Sequence, residues 1–406
     1  MDVFVVRQPI FDRSRRTYAY QVTCRAARDP LSHTDPDREA LGVTDAASQL
    51  IGARHLTGRH RAFLNFSRDT LVRGHTAILP SASLVIEVAA AAGADAAVID
   101  ACGVLRKAGR LIALDGVAAD GPSPALLKVA DIVKVDFART RDSQRRALAR
   151  RFRGLGIRLI ATKVATEDDW RQARDAGYEY GEGDCFSKPA VTTTRDVPLS
   201  RLHVLQLLHK IYQPDAELAQ IEAIVRSEVS LALKLLTYLN SAAFGLRQRV
   251  TSVRQALLLI GVNGIRQWAS AIAVADAAGN VPFELVVTSI VRAKFCELLA
   301  ADAGMGARAE DAFFLGLFSM LDVLLGRPRA ALVGTLSVAD DVRHALLGGA
   351  NPLRRLFELV LAYERGDWNG AVGWAATLTI PIATIPDRYC ASLEWGNAMA
   401  SIAPGA

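Results

Sequence analysis

At 406 residues, 51% of them hydrophobic, the chain is too long for one ordinary core and is expected to form two domains. Aromatic residues make up only 7%, so Ala and Leu carry much of the apolar weight and the balance tilts toward helix. A formal charge of +6, carried mostly by Arg, is mild over this length and does not by itself mark a nucleic-acid binder.

The opening MDVFVVRQPIFDR lacks a charged leader, a long apolar core and a cleavage site, and reads as no signal peptide. The five cysteines (Cys24, Cys102, Cys185, Cys296, Cys390) are scattered among apolar neighbours with no CxxC pair, as expected for reduced thiols in a cytoplasmic protein. No apolar run is expected to span a bilayer. The most apolar stretch, ALLLIGVNGIRQWASAIAVADA, is interrupted by Asn263, Arg266 and Gln267 and reads as two buried helical stretches near a glycine.

In chain order, FVVRQPIFD and TYAYQVTCR form two strands with DRSRR as the turn between them. Further strands are AFLNF, SLVIEV, LIALD, DIVKVD and GIRLIATKV. Between them, DAAVIDACGVLRKAG and DDWRQARDAG have helical spacing and end at glycine. Repeated β-then-α units imply a parallel sheet, open or closed into a barrel. The polar stretch AVTTTRDVPLS has no apolar period, which places a first domain over 1–190, a linker over 191–200 and a second domain over 201–406. The segments RLHVLQLLHKIY, LAQIEAIVRSEVSLALKLLTYLN, VRQALLLIG, FELVVTSIVRAKFCELLAAD, DAFFLGLFSMLDVLLG and LRRLFELVLAYERG are all helical in period. Ser252 and Gln255 can form a capping box, and Gly261 can close that helix. The fold class is therefore α/β followed by all-α.

In the first half, Asn65, Glu87, Asp115 and Lys134 lie at or near predicted strand ends, which converge on one face of a closed barrel. Hard oxygen donors suit Mg²⁺ or Mn²⁺, and Lys134 can offset phosphate charge. The plainer reading is a turn cap, two solvated acids and an ion-paired lysine.

The first half resembles the EAL domain, the cyclic di-GMP phosphodiesterase barrel. The resemblance runs in order through RQPIFDRSRRTYAYQVTCR, FLNFS, LVIEV, LIALDG, IVKVD, GIRLIATKVAT and GEGDCFSKP. It implies a TIM-like barrel, metal ligation by Asn65, Glu87 and Asp115, a role for Lys134 and a ligand-facing Arg25. The departures bear on chemistry. Gln21 stands where the family carries the Glu of its name. Gly116 replaces the second acid of a pair, Thr162 and Ala165 replace two Glu, and Glu182 stands in place of a closing Gln. A two-metal hydrolase needs several carboxylates to hold its cations and acidify a water. Loss of these acids leads to the expectation of no catalytic residue, no enzymatic activity and at most weak Mg²⁺ or Mn²⁺ binding alongside cyclic di-GMP.

The second half resembles the HDOD domain through YLNSAAFGLRQRVTSVRQALLLIGVNGIR, with Asn240, Ser241, Phe244 and Gly245 as structural signature residues. The related HD phosphohydrolases bind metal through His and a His-Asp pair, and no His-Asp dipeptide is present here. FFLGLFSMLD with Asp322 occupies that region, and His203 and His209 are six apart, a poor spacing for shared ligation. The Arg-rich FARTRDSQRRALARRFRGLGIR lacks interleaved aromatics and reads as a solvated face. The expectation is a catalytically inactive signalling scaffold whose HDOD domain binds other signalling proteins, with homo-oligomerisation left open. The alternatives are an effector that binds cyclic di-GMP without hydrolysis and, behind it, a metal-dependent phosphodiesterase using substitute ligands such as Glu182.

Overall fold

The computed structural model describes residues 3–26, 54–58, 60–74, 84–92, 95–118, 121–187, 222, 225, 229–241, 248–278, 281–334, 336 and 338–401. The chain divides into two compact units, Met1–Ala190 with Glu364–Asn369, and Val191–Tyr363 with Gly370–Ala406. The expected linker, 191–200, lies outside the described residues, as do His203 and His209.

The first unit is a closed eight-stranded barrel in sequential order. Its strands are β1 (Val3–Asp12), β2 (Thr17–Ala26), β3 (Arg61–Asn65), β4 (Leu84–Ala89), β5 (Leu111–Val117), β6 (Ile132–Asp136), β7 (Arg158–Thr162) and β8 (Tyr180–Gly181). β1 runs antiparallel to both β2 and β8, and the other neighbours are parallel. The reason is local. The turn after β1 is too short for a crossover, so the chain must double back. Asp12 Oδ1 closes that turn by accepting from Ser14 N at 2.8 Å and Arg16 N at 2.9 Å. Seven of the strands match the sequence reading. The eighth is only two residues long, too short to leave a periodic pattern.

Among the helices that follow the strands are α1 (Ala96–Lys107), α2 (Asp142–Gly154) and α3 (Glu167–Ala176). Asp95 caps α1 by accepting from Ala97 N at 2.9 Å. Thr166 and Asp169 form a capping box at the start of α3, and Gly177 ends it in the left-handed conformation. On the Arg-rich α2, Arg145 pairs with Asp169 at 3.2 Å and Arg146 with Asp142 at 2.9 Å.

Among the described residues the second unit is helical. It contains α4 (Val229–Leu239), α5 (Val253–Ala278), α6 (Phe283–Asp302), α7 (Ala309–Phe318), α8 (Leu321–Leu325), α9 (Pro352–Glu364) and α10 (Ile385–Ala400). Ser252 Oγ caps α5 by accepting from Gln255 N at 3.2 Å, while Gln255 Oε1 accepts from Thr251 N at 3.3 Å rather than from Ser252 N. Gly261 does not end the helix. It breaks it at φ 70° and ψ 177°, and helix resumes directly. As a result Val253–Asp276 is, by length and composition, long and apolar enough to cross a bilayer, contrary to expectation. Over half of its most apolar window is buried inside the protein, as for a core helix. Among the other helices, α6 packs so closely on α7 that a Cβ on Gly316 would lie 2.7 Å from Ala293 Cα.

Candidate nucleotide site at the barrel mouth

Strand period two explains how the site is built. One barrel layer is wholly apolar: Ile10, Ala19, Phe63, Val85, Ala113, Ile132 and Ile160, all fully buried. Two residues further along the parallel strands, the next inward-facing positions are Gln21, Asn65, Glu87, Asp115, Lys134 and Thr162. Glu182 follows Tyr180 in the same way just beyond β8. The apolar layer is therefore the floor, and a polar ring lies directly above it at the carboxyl-terminal mouth. Asn65 is in register with Glu87, and Ala89 with Asp115, so the ring is staggered up the barrel.

Lys134 is the centre of this ring and is 2% exposed. Its Nζ donates to Gln21 Oε1 at 2.6 Å and Glu87 Oε1 at 2.8 Å, and lies 3.0 Å from Glu182 Oε1. Gln21 Nε2 donates to Glu87 Oε2 at 2.6 Å. The Phe63 ring lies beneath the ammonium, 5.7 Å from its centroid. Burial alone would pull the lysine pKa down. The charges of Glu182, Glu87 and Asp115 outweigh it, and the pKa is raised, so the ammonium is held protonated. Burial pushes the Glu87 carboxyl up, and the Lys134 charge draws it back only in part.

The predicted residues thus converge. Glu87 and Lys134 are in contact, the charge of Asp115 acts on both, and Asn65 stands exposed at the rim opposite Glu87. Arg25 lies on β2, with its side chain outside the described residues. Gln21, read from sequence as a mere loss of charge, is instead the bridge between Lys134 and Glu87. Gly116 adopts φ 72° beside a register shift between β5 and β6. Sequence reasoning also passed over Asp136 and Lys163, joined at 2.8 Å. The available signal was that Asp136 is two residues after Lys134 and so shares its face.

Asn65, Glu87, Asp115 and Glu182 are the donor type for Mg²⁺ or Mn²⁺. Both Glu87 oxygens, however, already accept from Lys134 and Gln21. Among the described residues no three Asp, Glu, His or Cys side chains are drawn together as a metal site. The arrangement does not fit a two-metal centre. It leaves for a cation the half-buried Asp115 and Glu182 Oε2, which is buried without a hydrogen-bond partner.

In the helical unit Asn240 has a clear structural role. Its Nδ2 donates to Leu236 O and Val250 O, each at 2.8 Å, and its Oδ1 accepts from Val250 N at 2.8 Å. Ser241 follows, and Phe244 and Gly245 lie outside the described residues. Asp322 pairs with Arg329 at 2.9 Å.

Residues 45–189 match the EAL domain and residues 197–325 the HDOD domain. The chain is 30% identical over 401 residues to the cyclic di-GMP phosphodiesterase CdgJ of Vibrio cholerae, covering 97% of this chain and 92% of CdgJ. It is 30% identical over 406 residues to the uncharacterized protein YuxH of Bacillus subtilis, covering 97% of this chain and 98% of YuxH. A calcium and cyclic di-GMP complex of Klebsiella pneumoniae BlrP1 is 19% identical, with a TM-score of 0.39, over 47% of this chain and 56% of that one. The relation to CdgJ, a phosphodiesterase matched along nearly its whole length, overturns the expectation of a chain without enzymatic activity. Glu182, named from sequence as a substitute ligand, returns a carboxylate to the ring beside Lys134. The chain belongs to the family of signalling proteins that join an EAL domain to an HDOD domain.

Proposed function

We propose that this chain acts on cyclic di-GMP as a phosphodiesterase, with the carboxyl-terminal mouth of the barrel as its nucleotide site. The observation that carries the reading is the ring around Lys134. A buried ammonium, locked by Gln21, Glu87 and Glu182, holds these side chains in fixed positions at the mouth, with Asp115 beside them. Asn65 and Asp115 supply polar contacts on the rim side. The relation to CdgJ supports the reaction class. The HDOD unit is the docking module for other signalling proteins, its signature turn held by Asn240.

The test is turnover of cyclic di-GMP by the full-length protein in Mg²⁺, in Mn²⁺ and in chelator, beside calorimetric titration of the same nucleotide. Turnover that Glu87→Gln lowers at least about tenfold is expected, since one charged hydrogen bond in a buried site is worth that much. Binding without turnover in any cation would refute the hydrolytic half of the reading. Absence of binding would refute all of it.

A further inference from the structure

We propose that Lys163 is a phosphate-binding cation at the barrel mouth, held above the ring by Asp136; the inference rests on the cyclic di-GMP reading. Lys163 is the first residue after β7, and its Nζ lies 2.8 Å from Asp136 Oδ2. Asp136 is two residues beyond Lys134 on β6, so it shares the inward face, one layer nearer the opening. Its carboxylate is buried. Its Oδ1 accepts from Ala138 N at 2.9 Å and from Arg139 N at 3.2 Å, which fixes its direction. The Lys163 side chain, in contrast, is 65% exposed. A buried anion thus anchors an ammonium that remains open to a ligand.

The backbone supports the same conclusion. Lys163 has φ 55°, the left-handed region that favours glycine. It stays there because its turn is clamped from the β8 side. Val164 N donates to Glu182 O at 3.0 Å, and Cys185 N donates to Val164 O at 3.1 Å. Gly183 lies so close that a Cβ on it would sit 2.4 Å from Val164 N. A lysine retained in a conformation glycine would adopt more easily is a strained residue at a site's rim. The pair is buried on the carboxylate side and open on the ammonium side, which is the side a ligand would approach. Of the two lysines at the mouth, Lys134 is buried with its three donors engaged, whereas Lys163 is the one whose ammonium a phosphodiester can reach.

The test uses the full-length protein and cyclic di-GMP in calorimetric titrations at two salt concentrations, with thermal melts alongside. Lys163→Met is expected to weaken binding about fivefold to tenfold and to flatten its salt dependence. Lys163→Arg is expected to retain most of the affinity. Lys163→Gly is the discriminating variant: it should lose affinity like Lys163→Met while melting above Lys163→Met, because both lose the partner of Asp136 and only glycine relieves the left-handed strain. Wild-type affinity in Lys163→Met overturns the inference and leaves the nucleotide site standing. Affinity lost in Lys163→Arg as fully as in Lys163→Met, or a Lys163→Gly protein that melts below Lys163→Met, shows a structural role and also overturns it. A wild-type protein that does not bind refutes the nucleotide reading itself.

Discussion

Replacing Lys134 by Met keeps most of the apolar stem and removes the charge at the centre of the ring. The Glu87 side chain is 1% exposed and would lose its Nζ donor at 2.8 Å, keeping only Gln21. Glu182 would lose a partner at 3.0 Å, and its second oxygen already has none. Removing one member of a buried ion pair costs about 3–5 kcal/mol, because the remaining charge stays buried without compensation. In Lys134→Met/Glu87→Gln one stranded carboxylate becomes neutral, so the double variant should recover about 2 kcal/mol of that loss. The pH dependence follows from the direction of each shift. The Lys134 pKa is raised in the folded protein, so its contribution is intact below the ordinary lysine value of about 10.4 and lost only at higher pH. The Glu87 pKa is raised by burial, and losing Lys134 raises it further. The folded state then favours protonated Glu87, and stability falls as pH rises from about 4.3 through the raised value. Lys134→Met should therefore lie nearer the wild type at pH 5 than at pH 8. Urea unfolding at both pH values measures this, with hydrogen exchange of the β4 and β6 amides separating barrel opening from events in the helical unit. A destabilisation below about 1 kcal/mol at pH 8, or one equal at both pH values, would refute the buried-pair reasoning.

Two further substitutions test the framework around the two signatures. Gly183→Ala places a methyl group 2.4 and 2.5 Å from Val164 N and O at φ 139°, and should cost about 2 kcal/mol or more in urea unfolding, with loss of protection at the β7 end. Asn240→Ala removes three hydrogen bonds at 2.8 Å and leaves Val250 N and O without a partner; about 2–3 kcal/mol should be lost, with faster exchange at residues 248–253 and barrel amides unchanged.

The sequence by itself determined the order of elements, because periods of two and 3.6 are written in local residue spacing. It marked seven barrel strands, the helical second half, and the acids and lysine that meet at the mouth. It also placed Asp115 near a strand end, two residues short of where β5 stops, and Gly261 at a helix break. Only the tertiary structure decided how those residues partner. Gln21 and Lys134 are 113 positions apart, and their hydrogen bond exists because barrel closure brings β2 and β6 side chains to one height above a shared apolar floor. The same closure turns Gln21 from a missing acid into a bridge, adds Glu182 from beyond a two-residue strand, and sets Lys163 on the buried carboxylate of Asp136. Local spacing shows which face of a strand a residue occupies. The stagger between strands, set by barrel closure, determines which residues meet across it.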